Sequence, residues 1–402
     1  MIPAFLSHPS SPCHSAMASG EVFQIQELCD CITDFIDNTL DLRSCALVLP
    51  SLTVSAQRRL FHDVVLNEGC WGVYGRTNSR SFDEYGACRR LCSVLKASPQ
   101  LLRLIRRLRA SLESDIVGLL CELDFPNLEG LFFNRRRGGV TKESTLLAAA
   151  KLISLSSVRC VGLFYVILRN MSDLRRLFEG CTSPLDSLLL NETKILPYEV
   201  GLERALSPPS WRLRISSLQI QLPENLLRSS PRDWEWLIDP LSPFDLTALR
   251  DAHYSSLSVL GYASPLLTCS RLTIEKLSMS PQLYFDATNN PPSISLADLP
   301  VLRHLTLVGW ATLGNVQNVL ASLSSSNALE YLEFPVFVGR VSRSAELARL
   351  GLALSTANFP LLRHLVIVAI FELGAPSRDH VCMKLRAAFA DWDAKGQLEV
   401  LV

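Results

Sequence analysis

Seven histidines and twelve cysteines are the residues best suited to metal or nucleophilic chemistry in this 402-residue chain, and their spacing supports neither. No Cys-x-x-Cys occurs. The nearest approaches are Cys29-x-Cys31 and Cys88 with Cys92, and no histidine stands at zinc-ligand spacing from them. A GxxxxGK(S/T) loop, a GxGxxG after a strand, GxSxG and HExxH are all missing. No catalytic residue, metal or cofactor is therefore expected; an unrecognised α/β enzyme is kept only as a third reading. What remains is polar residues in recurring places. His304 and His364 each stand in Arg-His-Leu, Tyr331 lies between them, and Glu333 follows Tyr331 by two. Such a set suits recognition of a partner's polar group, while the plainer reading is filler in a repeating unit. Arg103, Arg106, Arg107 and Arg109, and later Arg135-Arg136-Arg137-Gly138-Gly139, suit phosphate contact. Aromatic interleaving of the RNA-binding kind is limited to Phe132-Phe133, so a solvated strand edge and a loop are the favoured reading.

Composition narrows the partners. Lys+Arg and Asp+Glu both number 39, so no excess of cations is present to displace phosphate counterions, and neither nucleic acid nor an anionic membrane is an expected partner. With 48% hydrophobic and 19% charged residues the chain is too apolar for extended disorder. The longest uncharged apolar run, Cys160–Leu168, has nine residues, and a bilayer span needs roughly twenty. Residues 1–20 contain no Lys or Arg and read as a disordered tail rather than a targeting peptide. Cysteines set within apolar stretches point to a reducing compartment, cytoplasmic or nuclear.

The polar residues acquire positions once the repeat is found. A pattern of apolar, two variable, apolar, one variable, apolar recurs, as in Leu128/Leu131/Phe133, Leu185/Leu188/Leu190, Leu302/Leu305/Leu307 and Leu362/Leu365/Ile367. Its middle positions, 131, 161, 188, 218, 260, 277, 305, 332, 365 and 401, are 30, 27, 30, 42, 17, 28, 27, 33 and 36 residues apart. The pair 42 and 17 together make two periods, which marks the copy at 257–262 as the weakest. A fainter copy, Ile105/Leu108/Ala110, precedes them. An apolar–Pro pair leads into several copies (Phe125-Pro126, Leu299-Pro300, Phe359-Pro360), where proline closes the preceding helix. Helix-period stretches lie between, at Lys142–Leu155, Met171–Glu179, Gly314–Leu323, Ala345–Thr356 and His380–Asp391. Gly180 and the cluster Ser324–Asn327 close two of them. Ser230–Ala252 reads as an insertion.

Strand, turn and helix at this period resemble an irregular leucine-rich-repeat solenoid, an α/β fold with parallel strands on a concave face and helices outside. The usual turn asparagine is missing; Thr193 stands in its place in one copy. Because side chains alternate along a strand, the residue before each middle position belongs to the concave face. That row reads Arg107, Gly130, Cys160, Ser187, Ser217, Val259, Lys276, His304, Tyr331, His364 and Val400. Arg107, His304, Tyr331 and His364 of this row, with Arg109 and Glu333 two residues on from it, are the candidate target-binding residues of the concave face.

Residues 21–66 depart from the repeat and predict three helices, Gln26–Ile36, Leu40–Leu49 and Val54–Val65, with Thr39 and Thr53 as caps of the last two. Residues 67–100 read as a helical connection and 101–402 as the repeat domain. The stretch carrying Glu27-Leu28, Ile32, Phe35-Ile36, Leu42, Ser44–Val48, Arg59–Phe61 and Val65-Leu66 resembles the F-box of fungal proteins with trailing leucine-rich repeats. Ile25 stands where that family has proline, and Leu52 where it has tryptophan. The resemblance implies a substrate receptor of a cullin–RING ubiquitin ligase. Leu28, Ile32, Phe35, Ile36, Leu42, Cys45, Leu49 and Leu52 would meet a Skp-family adaptor, and the repeats would hold a protein target. The alternative is an interaction scaffold whose module recruits no ligase.

Overall fold

The structure, a computed structural model, describes residues 26–48, 50–66, 84–112, 116–135, 140–196, 207–221, 235–254, 266–279, 296–309, 313–323, 328–338, 344–354, 359–371 and 377–402. Three helices come first: α1 (Gln26–Asp34), α2 (Thr39–Val48) and α3 (Pro50–His62). Both α1 and α2 pack on α3. α3 runs directly into β1 (Asp63–Leu66). Then come α4 (Glu84–Ala97), α5 (Pro99–Leu102), β2 (Arg107–Ser111), α6 (Ile116–Leu120), β3 (Gly130–Asn134) and α7 (Glu143–Ile153). Next are β4 (Cys160–Phe164), β5 (Ile167–Leu168), α8 (Met171–Phe178), β6 (Leu185–Asn191), β7 (Lys194–Ile195) and β8 (Leu213–Gln221). They are followed by β9 (Phe244–Asp245), β10 (Asp251–Tyr254), β11 (Lys276–Met279), β12 (His304–Leu307) and α9 (Leu313–Ala321). The chain ends with β13 (Tyr331–Val338), α10 (Ser344–Ala353), β14 (His364–Phe371), α11 (Arg378–Ala388), α12 (Ala390–Ala394) and β15 (Leu398–Leu401).

β1, β2, β3, β4, β6, β8, β10, β11, β12, β13, β14 and β15 lie side by side in that order, every neighbouring pair parallel. β9 adds to the start of β8, and β5 pairs with β7 in a short sheet of its own. Along the main sheet the register never slips: Leu108, Leu131, Val161, Leu188 and Leu218 face one another in turn, as do Leu277, Leu305, Leu332 and Leu365. These residues are fully buried or nearly so, and the helices close over them: α6 packs on α4 and α7, α7 on α8, α9 on α10, and α10 on α11. Each unit therefore buries its inner face by stacking on the next.

The same turn leads into many of the strands. A backbone N–H bonds back three residues from Ile105 to Leu102, Leu128 to Phe125, Val158 to Leu155, Leu249 to Leu246, Leu302 to Leu299 and Leu362 to Phe359. The apolar–Pro pair of the sequence is the start of this turn, and its apolar residues Phe125, Leu299 and Phe359 are buried.

Several expectations change. Residues 257–262 lie outside the described residues, and the slot between β8 and β11 is filled by β10, whose Ala252 pairs with Leu218 and Leu277. The spacings become 34 and 25, close to the rest. Ser230–Ala252 is thus no mere insertion: Leu237, Phe244, Leu249 and Ala252 join the common core. At the end of the chain Leu398, not Leu401, faces Leu365, a shift of three residues. α2 is capped by Asn38, whose Oδ1 accepts from the Leu40 N–H at 3.0 Å; α3 begins at Pro50, and Thr53 lies within it, donating to Ala46 O at 2.9 Å. Gly180 has no left-handed backbone; its value is closeness, since a Cβ there would sit 2.7 Å from Ser154 Cβ. Residues 1–20, Ile25, Leu49 and Ser324–Asn327 lie outside the described residues.

Thr193 does the work expected of the missing asparagine. It is fully buried and its Oγ1 donates to Leu163 O in the preceding unit at 2.9 Å. The residue before it, Glu192, has φ 48°, and Tyr165 at the same place one unit earlier has φ 60°. Left-handed backbone strains non-glycine residues by roughly 1–2 kcal/mol. In denaturant melts, Glu192→Gly is expected to stabilise the chain by up to about 1 kcal/mol and Thr193→Val to destabilise it by about 1–2 kcal/mol. Destabilisation by Glu192→Gly would show that the turn carries no strain.

Candidate functional site

The strand face turned away from the helices carries two in-register rows. The first runs Asp63, Arg107, Gly130, Cys160, Ser187 and Ser217, then Asp251, Lys276, His304, Tyr331 and His364. This is the row expected from the sequence, with Asp251 in the place given to Val259 and Asp63 added at its start. Val400 leaves it, because it pairs with Ile367 on the buried side. The second row, two residues on, includes Val65, Arg109, Phe132 and Gly162 at one end and Thr306, Glu333, Val366 and Glu399 at the other.

The far end brings the predicted polar residues together. The His304 and Tyr331 rings stack with centroids 5.6 Å apart and planes 27° from parallel. The Tyr331 hydroxyl donates to Glu333 Oε2 at 2.7 Å. Burial pushes the Tyr331 phenol up to about 12, helped by this bond and by the charges of Glu333 and Glu399. His364 is exposed on the next strand, and Val366 lies sunk between Glu333 and Glu399.

At the near end, Arg107 is exposed, whereas Arg109 is committed: its Nη2 lies 3.1 Å from Asp63 Oδ2 and its guanidinium 5.5 Å from the Phe132 ring centre. Phe132 and Phe164 lean together at 6.4 Å over Gly162, where a Cβ would come within 2.5 Å of Phe132. Phe133 is buried on the other side, so the aromatic neighbour of Phe132 on this face, the half-buried Phe164, is across the sheet and not next to it in sequence. Arg106 pairs with Glu129 at 2.6 Å, and Arg136, Arg137, Gly138 and Gly139 lie outside the described residues.

One feature of this face escaped the sequence reading. The residue immediately before each first-row position alternates in charge: Arg106, Glu129, Arg159, Asp186, and after Ser216, Arg250, Glu275, Arg303, Glu330, Arg363. Backbone bonds link each to the next, from Arg159 N–H to Glu129 O, Asp186 to Arg159, Glu275 to Arg250, Arg303 to Glu275, Glu330 to Arg303 and Arg363 to Glu330. Six of these nine side chains form ion pairs along the rail, at 2.6 Å (Arg106–Glu129), 3.3 Å (Arg303–Glu330) and 3.9 Å (Arg250–Glu275). Aligning the repeat copies and reading one column to the left would have revealed it.

The helical module offers a second surface. Inward, α1 presents Cys29 and Thr33, and Gln26 Nε2 reaches Ser55 Oγ on α3 at 2.6 Å. Ser55 and Gln26 hydrogen bonds, with Arg58 alongside, hold the Asp30 carboxyl below its ordinary range. Outward, α1 presents Leu28 and Ile32, the turn just past it presents Phe35, exposed by 40%, 37% and 88%, and α2 presents Leu40, Leu47 and Val48. Of the other adaptor-facing candidates, Ile36 and Cys45 are half-buried, while Leu42 and Leu52 are inside the module and pack it rather than form a surface.

Among the described residues no group of three His, Cys, Asp or Glu could hold a metal, and no helix is long and apolar enough to cross a membrane. Burial pushes the Cys92, Cys121 and Cys160 thiols up, and that of Cys181 up to about 11, away from the reactive thiolate form.

The raised Tyr331 phenol favours its neutral form in the folded chain. That contribution is present below the ordinary tyrosine value of about 10 and is lost as pH rises through about 12. In a tyrosinate-absorbance titration, the difference between the parent chain and Tyr331→Phe is expected to centre near 12. A difference centred at the ordinary value of about 10 would show that neither burial nor Glu333 acts on it.

The leucine-rich repeat-containing protein LegL7 from Legionella pneumophila is similar in structure at 13% identity and a TM-score of 0.38, over 75% of this chain and 86% of that one. Neither a protein-family model nor a curated protein matches this chain.

Proposed function

We propose that the chain is a non-catalytic binding protein. Its helical module docks a Skp-family adaptor of a cullin–RING ubiquitin ligase, and its uncovered sheet face holds the protein target. The observation that carries the reading is the outward apolar face of α1 and α2. A helix in a small module ordinarily turns its large apolar residues inward; α1 turns Cys29 and Thr33 inward and leaves Leu28 and Ile32, with Phe35 just past its end, to solvent. A contiguous apolar patch of this kind marks a protein contact. The resemblance of residues 21–66 to the F-box supplies the kind of partner. Such a receptor accelerates modification by raising the concentration of target beside the charged enzyme.

A scaffold that recruits no ligase is the second reading. Leu52, which stands where the F-box carries tryptophan, is buried in the module and adds nothing to the outward face.

Co-purification of the full chain with a Skp-family adaptor separates the two. Because Phe35 is 88% exposed, Phe35→Asp is expected to leave the melting temperature unchanged. It should weaken the adaptor complex by about 30-fold or more, the loss of one interface anchor worth about 2 kcal/mol. Leu47→Asp on α2 is a second such variant. Absence of binding by the parent chain at micromolar concentration would sink the ligase reading and leave the scaffold.

A further inference from the structure

We propose that the outer face of β12–β15 selects its protein target through a basic side chain, a lysine or arginine of an extended segment, received between Glu333 and Glu399. The proposal rests on the reading that the uncovered face holds the target, and adds the chemistry of what it takes.

Several carboxylates at the strand starts and on the helices near them are engaged. Glu122 faces Lys96, Glu129 faces Arg106, Glu275 faces Arg250 and Glu330 faces Arg303. Among the described residues Glu333 and Glu399 have no ion-pair partner. They stand in register on either side of Val366, on strands two apart, so roughly 10 Å separates their backbones. Val366 is 4% exposed, so it lies sunk below the two carboxylates and adds little open surface. Tyr331, backed by His304, forms one wall, and its ring offers a π-face to a cation.

An aromatic ring beside two carboxylates matches a long cationic side chain, whose stem packs on the ring and whose head is charged. An acidic segment would meet two uncompensated like charges. A wholly apolar segment would desolvate both carboxylates with nothing in return. The cations on this face stand aside: Lys276 is a strand beyond His304, Arg303 pairs with Glu330, and Arg363 stands one residue before the first row. β13 and β14 also run on together for four residues beyond Phe334 and Ile367, where Phe337, Val368 and Ile370 are half-buried on the outer side and Pro335 is buried.

The test uses the full chain and three fluorescent, unstructured peptides of equal length, one Lys/Arg-rich, one Glu-rich and one Gly/Ser-rich. Binding is measured by polarisation for the parent chain, Glu333→Gln/Glu399→Gln, Glu129→Gln/Glu275→Gln and Arg107→Glu. The proposal expects the basic peptide to bind the parent. Binding should fall at least about tenfold in Glu333→Gln/Glu399→Gln, within the range lost when a charge pair is broken. It should be unchanged in the rail variant, and the melting temperatures of all variants should match the parent. Equal loss in both double variants, or none in either, overturns the proposal, since it means diffuse attraction. Binding of the acidic peptide that is lost in Arg107→Glu, with no basic-peptide binding, overturns the proposal while the target-holding reading of the face stands. Failure of all three peptides overturns both.

Discussion

Everything in this chain depends on an unbroken parallel register. A side chain on a strand faces one side or the other with a period of two, so a slip of one residue would turn every inner leucine outward. From Val64 to Leu398 the inner column holds across twelve strands in the main path, and each unit's apolar side is buried by its neighbour and by the helix layer. The identical back-bonded turns before the strands set the phase at which each one starts, and Thr193 and the left-handed Tyr165 and Glu192 set the phase at which two of them end.

The same register makes a surface out of distant residues. Lys276, His304, Tyr331 and His364 are 88 residues apart from first to last, yet occupy successive strands. It also fixes the charge rail. Parallel stacking puts the residue ahead of each strand beside its counterpart, where like charges would repel, and the chain alternates arginine with glutamate or aspartate in that column. Each exposed pair contributes little, about 0–1 kcal/mol. The larger consequence is cancellation of charge along the edge. The equality of 39 cations and 39 anions is spatially ordered there and not merely an average.

Much of this was legible in the sequence, for a definite reason: leucine, valine and isoleucine at fixed spacing announce both a strand and its inner side. Where the signal failed, the residues explain why. Ala252 is too small to register as apolar, and Leu257/Leu260/Tyr262 nearby fit the pattern better than the true strand does. Leu398 and Leu401 fit two frames, since their separation of three is also that of the first two pattern positions; only pairing with Leu365 decides. The helical module showed its apolar stripe but not the direction it faces, because Cys29 and Thr33 make an inconspicuous inner side. The charge rail was missed because charge alternation has no period within one unit and becomes visible only across units.

Binding selectivity on such a face falls to the few groups the rail does not consume. Arg109 is held by Asp63 and Phe132, and Arg106, Arg250 and Arg303 by acidic neighbours. A polyanion or polycation approaching the strand edge therefore meets near-neutral stripes, which give little long-range steering. Groups left over, such as Arg107 at one end and Glu333 with Glu399 at the other, act at short range. They lie where the face also offers aromatic rings, Phe132 and Phe164 in one case and Tyr331 and His304 in the other. Charge and apolar contact coincide at the two ends, so any partner that the proposed reading places there would have to match both at once. That requirement separates specific recognition from the general stickiness that an exposed sheet face of a neutral, 48% hydrophobic chain would otherwise carry.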